Sequence, residues 1–309
     1  MGRFLELIKK SVKSKTLTYD ITAYLFCRMG YGDINLAGQN ARYKAYNSLK
    51  RKYEKYIGKT EFPKYPGNEK PRVWICWLQG IENAPELVKA CADSVKYHIR
   101  DMEIVFLDKN NIRQYITLPE YIYEKWKKGI ISNAQFSDIV RNQLIIEHGG
   151  LWLDSTTYLT DKLPSYITDS EFFVYRDGFF ECEVINMGSW LIWGKANNIL
   201  LSEVQNLMLL YWKKNNYLKQ YFLLHLFFRM VSEHYPDEWK KVPYFSQMDQ
   251  HTFMMELNDT YSEKRWKQLK KLTSVHKLSN KIDFSNSDSP YFSMLNTLYK
   301  ENTDERNSE

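Results

Sequence analysis

The segment SNAQFSDIVRNQLIIEHGGLWLDSTTYL (residues 132–159) constrains the fold more than any other part of the chain. Ser132 or Asn133 can cap a helix and Gly149 can stop one, so the spacing predicts a helix over 132–150. Phe136, Ile139, Val140, Leu144, Ile145 and Ile146 make that helix apolar on nearly every side, the pattern of a buried helix. Asp138 and Arg141 nevertheless sit in it, three apart and on one face. Buried charges need partners, so the pair is either an ion pair internal to the helix or a pair of groups aimed at a polar ligand. Beyond the glycines, LWL reads as a short buried strand that ends at Asp154, followed by Ser155, Thr156 and Thr157. A carboxylate there either starts a turn or faces something charged.

Strand and helix patterns alternate through this part of the chain. VWICWL (73–78) is a continuous apolar run rich in β-formers, EIVFLD (103–108) is a second strand, and helices are predicted over 85–99 and 118–129. Long crossovers between strands imply an α/β protein with a mostly parallel, doubly wound, twisted sheet flanked by helices. Ligands of such sheets bind beyond the carboxyl ends of the strands, where Gln79, Asp108 and Asp154 stand. Further on, EFFVY (171–175) and CEVIN (182–186) read as strands and 197–214 and 217–235 as long helices. A loop with Pro243, a helix near 262–271 and a short strand in SVHKLS (274–279) follow. His225 is expected mid-helix among apolar residues, and Asp249 and Gln250 in a loop.

Charge divides the chain. Residues 1–60 carry thirteen Lys/Arg against four Asp/Glu, and the remainder thirty against thirty-three. The first 57 residues read as helical, with an amphipathic face over 4–8, and the Pro- and Gly-rich stretch 58–72 as a linker. We therefore expect a basic helical segment over 1–60, a main domain over 70–280 and a polar tail over 281–309. The near-neutral main domain and the lack of a recognition module argue against nucleic acid as partner. The basic start instead suits docking on an anionic inner membrane face through residues 1–57. The N-terminus is too charged for a signal peptide, and the longest apolar stretch, YFLLHLFF, falls far below the roughly 20 residues that span a bilayer. Cys27, Cys76, Cys91 and Cys182 form no CxxC pair, the usage of a reducing compartment, so a cytoplasmic location is expected.

FSDIVRNQLIIEHGGLWLDSTTYLT resembles the core of the capsular polysaccharide synthesis family, bacterial glycosyltransferases with a DXD-containing sugar-binding region. Phe136, Ser137, Asp138, Arg141, Gly149, Gly150, Trp152 and Asp154 match its pattern. The likeness extends from PRVWICWLQGIENAP through EIVFLDKNN and KGIIS to KVPYFS and VHKLS, about residues 70–280. It implies a GT-A nucleotide-sugar-binding fold, with a largely helical C-terminal region on the acceptor side. The implied activity is transfer of a sugar from a nucleotide donor, a UDP-sugar, to a lipid-linked or polymeric capsular or other surface glycan, with retention.

The resemblance also assigns roles. Asp154 with Thr156, in place of the usual second carboxylate, would bind Mn²⁺ or Mg²⁺, completed by His276. Lys277 would bind phosphate, and Asp138 and Arg141 would grip the donor sugar and diphosphate. Trp77 would stack on the base, or else belong to the core as Trp74 does, and Gln79 would touch base or ribose. Asn186, Ser189 and Trp190 would line the sugar pocket, and His225 would support catalysis or the acceptor. The missing second carboxylate leaves a rival expectation, a non-catalytic nucleotide-sugar or glycan-binding protein of the same fold.

Overall fold

The computed structural model describes residues 11–12, 16–30, 34–176 and 184–282. The expected amphipathic face over 4–8, Cys182 and the tail from residue 283 lie outside them. Helices α1 (Leu17–Arg28) and α2 (Ile34–Tyr53) come first. The alternating region follows as β1 (Arg72–Cys76), α3 (Glu86–His98), β2 (Glu103–Leu107), α4 (Glu120–Lys127), α5 (Asn133–His148) and β3 (Gly150–Asp154). Then come β4 (Thr157–Leu159), β5 (Phe172–Arg176), β6 (Met187–Gly194), α6 (Ile199–Lys214), α7 (Leu223–His234), α8 (Met248–Met255), α9 (Glu263–Leu272) and β7 (Val275–Lys277).

Five strands form one mixed sheet in the order β2-β1-β3-β6-β5. β1 pairs parallel with β2 and β3, whereas β6 runs antiparallel to both β3 and β5. Four strands thus share one direction and β6 alone is reversed. Side chains alternate across the sheet. Trp74, Leu107, Trp152 and Ile192 face the core built with α5, α6 and α7, while Val73, Ile75, Leu151 and Leu153 face Val95 of α3. A separate antiparallel pair, β4 with β7, rests on Leu87, Cys91, Phe253 and Trp266.

The glycine pair after α5 is required by close approach. Ser132 caps the helix by accepting from Gln135 N at 3.3 Å, and Gly149 ends it at φ +70°. Gly150 holds φ +98°, and a Cβ there would stand 2.3 Å from the Arg72 carbonyl oxygen. Only glycine adopts that backbone at that distance, and it lets β3 enter the sheet directly beside β1.

The linker reading of 58–72 meets a fastened strap. Gly58 N donates to Glu203 at 2.7 Å, Asn197 exchanges two 2.8 Å hydrogen bonds with the Tyr65 backbone, and Asn68 N donates to the His148 carbonyl. α2 packs Ala45, Tyr46, Leu49 and Tyr53 into the larger core, and Lys50 pairs with Glu233 of α7 at 2.7 Å.

Several expected elements differ. The described part of CEVIN, residues 184–186, is not strand; pairing begins at Met187, opposite Arg176 of β5, and β3 is met only from Leu191. The helix expected over 217–235 starts at Leu223. The Tyr211 hydroxyl accepts from Lys219 N and donates to the Tyr217 carbonyl, and so holds the preceding residues as a turn. Asp249 and Gln250 lie on α8, not in a loop. The hydroxyl run after Asp154 contains an unexpected strand, β4, made by pairing with β7 more than a hundred residues away.

Candidate functional site

The carboxyl ends of β1 and β3 lie side by side, Cys76 opposite Asp154 in register. Asp108 follows β2 and Asp154 closes β3, but their surroundings differ. Asp108 Oδ1 accepts from the backbone of Asn110 at 2.6 Å and Asn111 at 3.0 Å, so it is a turn residue. Asp154 receives its partners from elsewhere: Trp152 Nε1 donates to Oδ1 at 3.0 Å, Arg141 Nη2 lies 3.3 Å from Oδ1, and Lys277 Nζ lies 3.6 Å from Oδ2.

Arg141 is the hub. Its Nη2 lies 3.4 Å from Asp138 Oδ1 as well, and its Nη1 donates to the Ser189 carbonyl at 2.6 Å and the Ser189 hydroxyl at 2.7 Å. The guanidinium carbon stands 5.1 Å from the centre of the Trp152 ring, a cation–π distance. The Asp138–Arg141 pair is therefore not confined to the helix; it reaches two strands. Gln135, one turn before Asp138 on the same face, donates to Asp138 Oδ2 at 3.1 Å and to the Tyr221 carbonyl at 2.9 Å. The reading of the sequence passed over Gln135, although its i, i+3 spacing from Asp138 was visible.

Ser189 reaches Arg141 because β6 is irregular. Val174 faces Ile192, but Arg176 faces Met187, so two steps along β5 match five along β6. The excess residues bulge, as strands often do beside sites. Gly188 makes this possible: a Cβ there would lie 2.4 Å from Gln247 Oε1 and 2.9 Å from Trp190 Nε1.

The electrostatics are those of a closed, poorly hydrated site. Burial pushes the Asp138 carboxyl up to about 6, with Asp154 adding to the rise and Arg141 opposing it. Burial, helped by Arg141, pushes His225 down to about 3, so its imidazole is neutral at pH 7. His225 stands in the first turn of α7, not mid-helix, against the Phe222 ring. Burial holds the Cys76 thiol up at about 12, which excludes a thiolate nucleophile there. Gln135 Oε1, Arg141 Nε, Trp77 Nε1, Asn186 Oδ1 and His225 Nδ1 are buried without a hydrogen-bond partner. Such groups are rare unless a ligand or water completes them.

The elevated Asp138 carboxyl has a consequence for stability. Between the usual value near 3.8 and about 6, the folded protein keeps a proton that the unfolded chain has released. The folded state binds more protons, so stability falls as pH rises through that window. Asp138→Asn removes the titration and is expected to flatten the stability curve between those pH values. Denaturant titrations of both proteins at several pH values check this; superimposable curves would refute it.

Two expected site residues point elsewhere. Adjacent residues on a strand face opposite ways, and on β7 it is Lys277 that meets Asp154 and Thr156. His276 instead lies against Phe253 and Trp266 and within 3.2 Å of Thr160 Oγ1, with burial lowering it to about 3. Trp190 turns away from Ser189 through the bulge. It stacks on Tyr175 at 5.1 Å and donates to Gln247. Asn186 donates to Ser232 of α7 at 2.8 Å, Trp77 is half-buried just past β1, and Gln79 is exposed with its carbonyl accepting from Asn83.

The residues present do not suit a tightly held Mn²⁺ or Mg²⁺. Such ions need several free oxygen ligands. Both Asp154 oxygens already face cations or donors, and the Thr156 hydroxyl accepts from Lys277 Nζ at 2.5 Å. Among the described residues no cluster of three His, Cys, Asp or Glu side chains could hold a metal.

These features define an α/β protein with a charged site at the carboxyl edge of its sheet. A family model described as capsular polysaccharide synthesis protein matches residues 32–301, and the chain belongs to that family. No curated protein matches it. Among solved structures it is similar to the PaToxG glycosyltransferase, at 12% identity and TM-score 0.38, covering 85% of this chain and 98% of that one. It is also similar to the glycosyltransferase GlyE of Streptococcus pneumoniae TIGR4, at 15% identity and TM-score 0.37, covering 76% of this chain and 64% of that one. At this distance neither assigns chemistry to a residue here.

Proposed function

We propose that this protein is a GT-A-type glycosyltransferase that moves a sugar from a nucleoside-diphosphate donor, of the UDP-sugar kind, to a capsular or related surface glycan. The observation that carries this reading is the joining of Asp154, Arg141, Asp138 and Lys277, from three separate elements, at the carboxyl edge of β1 and β3. Membership of the capsular polysaccharide synthesis family supports it.

In this reading Arg141 and Lys277 face the diphosphate, and Asp138 with Gln135 accept from and donate to sugar hydroxyls. Trp77, with its unpartnered Nε1, offers a surface for the base. The bond from the anomeric carbon to the phosphate oxygen breaks, and the acceptor hydroxyl oxygen bonds to that carbon. Its proton passes to the departing phosphate oxygen, and fixed cations stabilise the charge that develops there. Both site carboxylates are engaged by Arg141, which favours attack from the leaving-group side, with retention, over a covalent sugar–enzyme bond.

The test is incubation with a panel of UDP-, GDP- and dTDP-sugars, with and without oligosaccharide acceptors, and detection of released nucleotide. Turnover of one donor supports transfer. Tight binding without turnover points to the rival, a binding protein of the same fold, which the occupied Asp154 favours. Neither binding nor turnover of any donor sinks both.

No helix among the described residues is long and apolar enough to cross a membrane. Ile21 and Leu25 of α1 and Met29, which caps it, are exposed and four apart, so they share one face. With the basic excess of residues 1–60 they support docking on an anionic lipid surface. We expect Leu25→Glu to reduce co-sedimentation with anionic vesicles, and unchanged partition would count against this.

A further inference from the structure

We infer that the site holds the donor's diphosphate with fixed protein cations, Lys277 foremost, and without a divalent metal ion. This rests on the nucleotide-donor reading above and says how that donor is bound.

Three observations converge. The first is the donor set. Asp154 is the single carboxylate at the end of β3, and the position two residues on is a threonine. Its two oxygens are taken on opposite sides, Oδ1 by Trp152 and Arg141 and Oδ2 by Lys277. The second is the placement of Lys277. β4 and β7 pair so that Thr157 faces Lys277, and Leu278 N donates to the Thr156 carbonyl at 2.8 Å. That fixes the lysine across the turn that follows Asp154, and its Nζ reaches Thr156 Oγ1, Asp154 Oδ2 and the Leu278 carbonyl at 3.2 Å. The ammonium therefore stands between the two side chains that would otherwise share a metal. The third is His276, the neighbour of Lys277 on β7, which faces the Phe253 and Trp266 side and cannot complete a shell with Asp154.

Charge points the same way. Two cations, Arg141 and Lys277, meet two carboxylates, Asp154 and Asp138, and burial raises the Asp138 carboxyl above the usual carboxylate range. A divalent ion would have to enter beside two fixed positive charges and displace the lysine from both Asp154 and Thr156. A diphosphate brings negative charge to the same place and needs no displacement of the cations. Lysine serves as a point charge for phosphate in this way in other folds.

Calorimetry of UDP, GDP and dTDP on the full chain tests this, first in EDTA and then with Mn²⁺. One nucleotide is expected to bind in EDTA, with its dissociation constant changed by less than about threefold on adding Mn²⁺. Lys277→Met is expected to weaken that binding at least roughly tenfold, and Lys277→Arg to lose clearly less. Melting curves show whether each variant is folded; if Lys277→Met is not, the wild-type comparison and Lys277→Arg still decide. Binding only with Mn²⁺, or unchanged binding by folded Lys277→Met, overturns the cation inference and leaves the nucleotide-donor reading standing. No binding of any of the three nucleotides under either condition overturns both.

Discussion

Arg141→Ala is expected to cost about 3–5 kcal/mol of stability, the usual range when one partner of a buried ion pair is removed. Arg141 is only 6% exposed, and its guanidinium touches Asp138, Asp154, Ser189 and the Trp152 face. Without it, Asp138 remains among apolar α5 residues with Gln135 as its hydrogen-bond donor. Its carboxyl then rises further above its already elevated value, because Arg141 is the group that opposes the rise. Protonation relieves the buried charge, so the gap between wild type and variant should be widest at high pH, shrink as pH falls from the variant's raised value toward about 6, and level off below it. Chemical denaturation at pH 5 and pH 8 measures both effects. An equal gap at the two pH values would show that Asp138 is not the group left stranded. Arg141→Lys keeps the charge but not the fork that serves Ser189 and two carboxylates, so it should fall between the two proteins.

The second large effect is on turnover. Asp154→Asn keeps the size of the side chain, which is about a quarter exposed, so stability should change little. Its charge, however, sets the positions of Arg141 and Lys277, and an amide binds neither cation well. Donor turnover is expected to fall by about a hundredfold or more, the loss typical when a preorganised electrostatic contact at the reacting charge is removed. Single-turnover release of nucleotide from the donor identified in the sugar-nucleotide screen is the readout. Wild-type rates in a folded Asp154→Asn protein would remove Asp154 from the machinery.

The two variants probe different links of one chain of causes. On the proposed function Arg141 is structural and functional at once, because the buried α5 that carries it is also the helix against which β3 and β6 pack. On the same reading Asp154 is chiefly functional, because it closes its strand and is partly exposed. A fold that places a charged residue inside an apolar helix gains a rigid cation at the sheet edge, and accepts that the protein weakens when that cation is removed.

Much of this was legible locally. Periodicity located α5, its cap and its glycine stop, since each depends on residues within one or two turns. The apolar runs located β1, β2 and β3, and the strand–helix alternation implied the parallel core. The contradiction of Asp138 and Arg141 in an apolar helix, and a carboxylate closing a strand, marked the site without any tertiary information. Tertiary structure decided what those residues meet. Asp108 and Asp154 look alike in the sequence, yet one caps its own turn while the other receives Arg141 and Lys277. Lys277 and His276 were assigned together, and the β4–β7 register separates them to opposite faces. Ser189 and Trp190 were likewise paired, and the β6 bulge sends them apart. Strand pairing between residues more than a hundred positions apart is set by packing of the whole chain, and a shift of one residue reverses every side chain. The local sequence determined which residues carry charge into the core; the register determined which of them share a site.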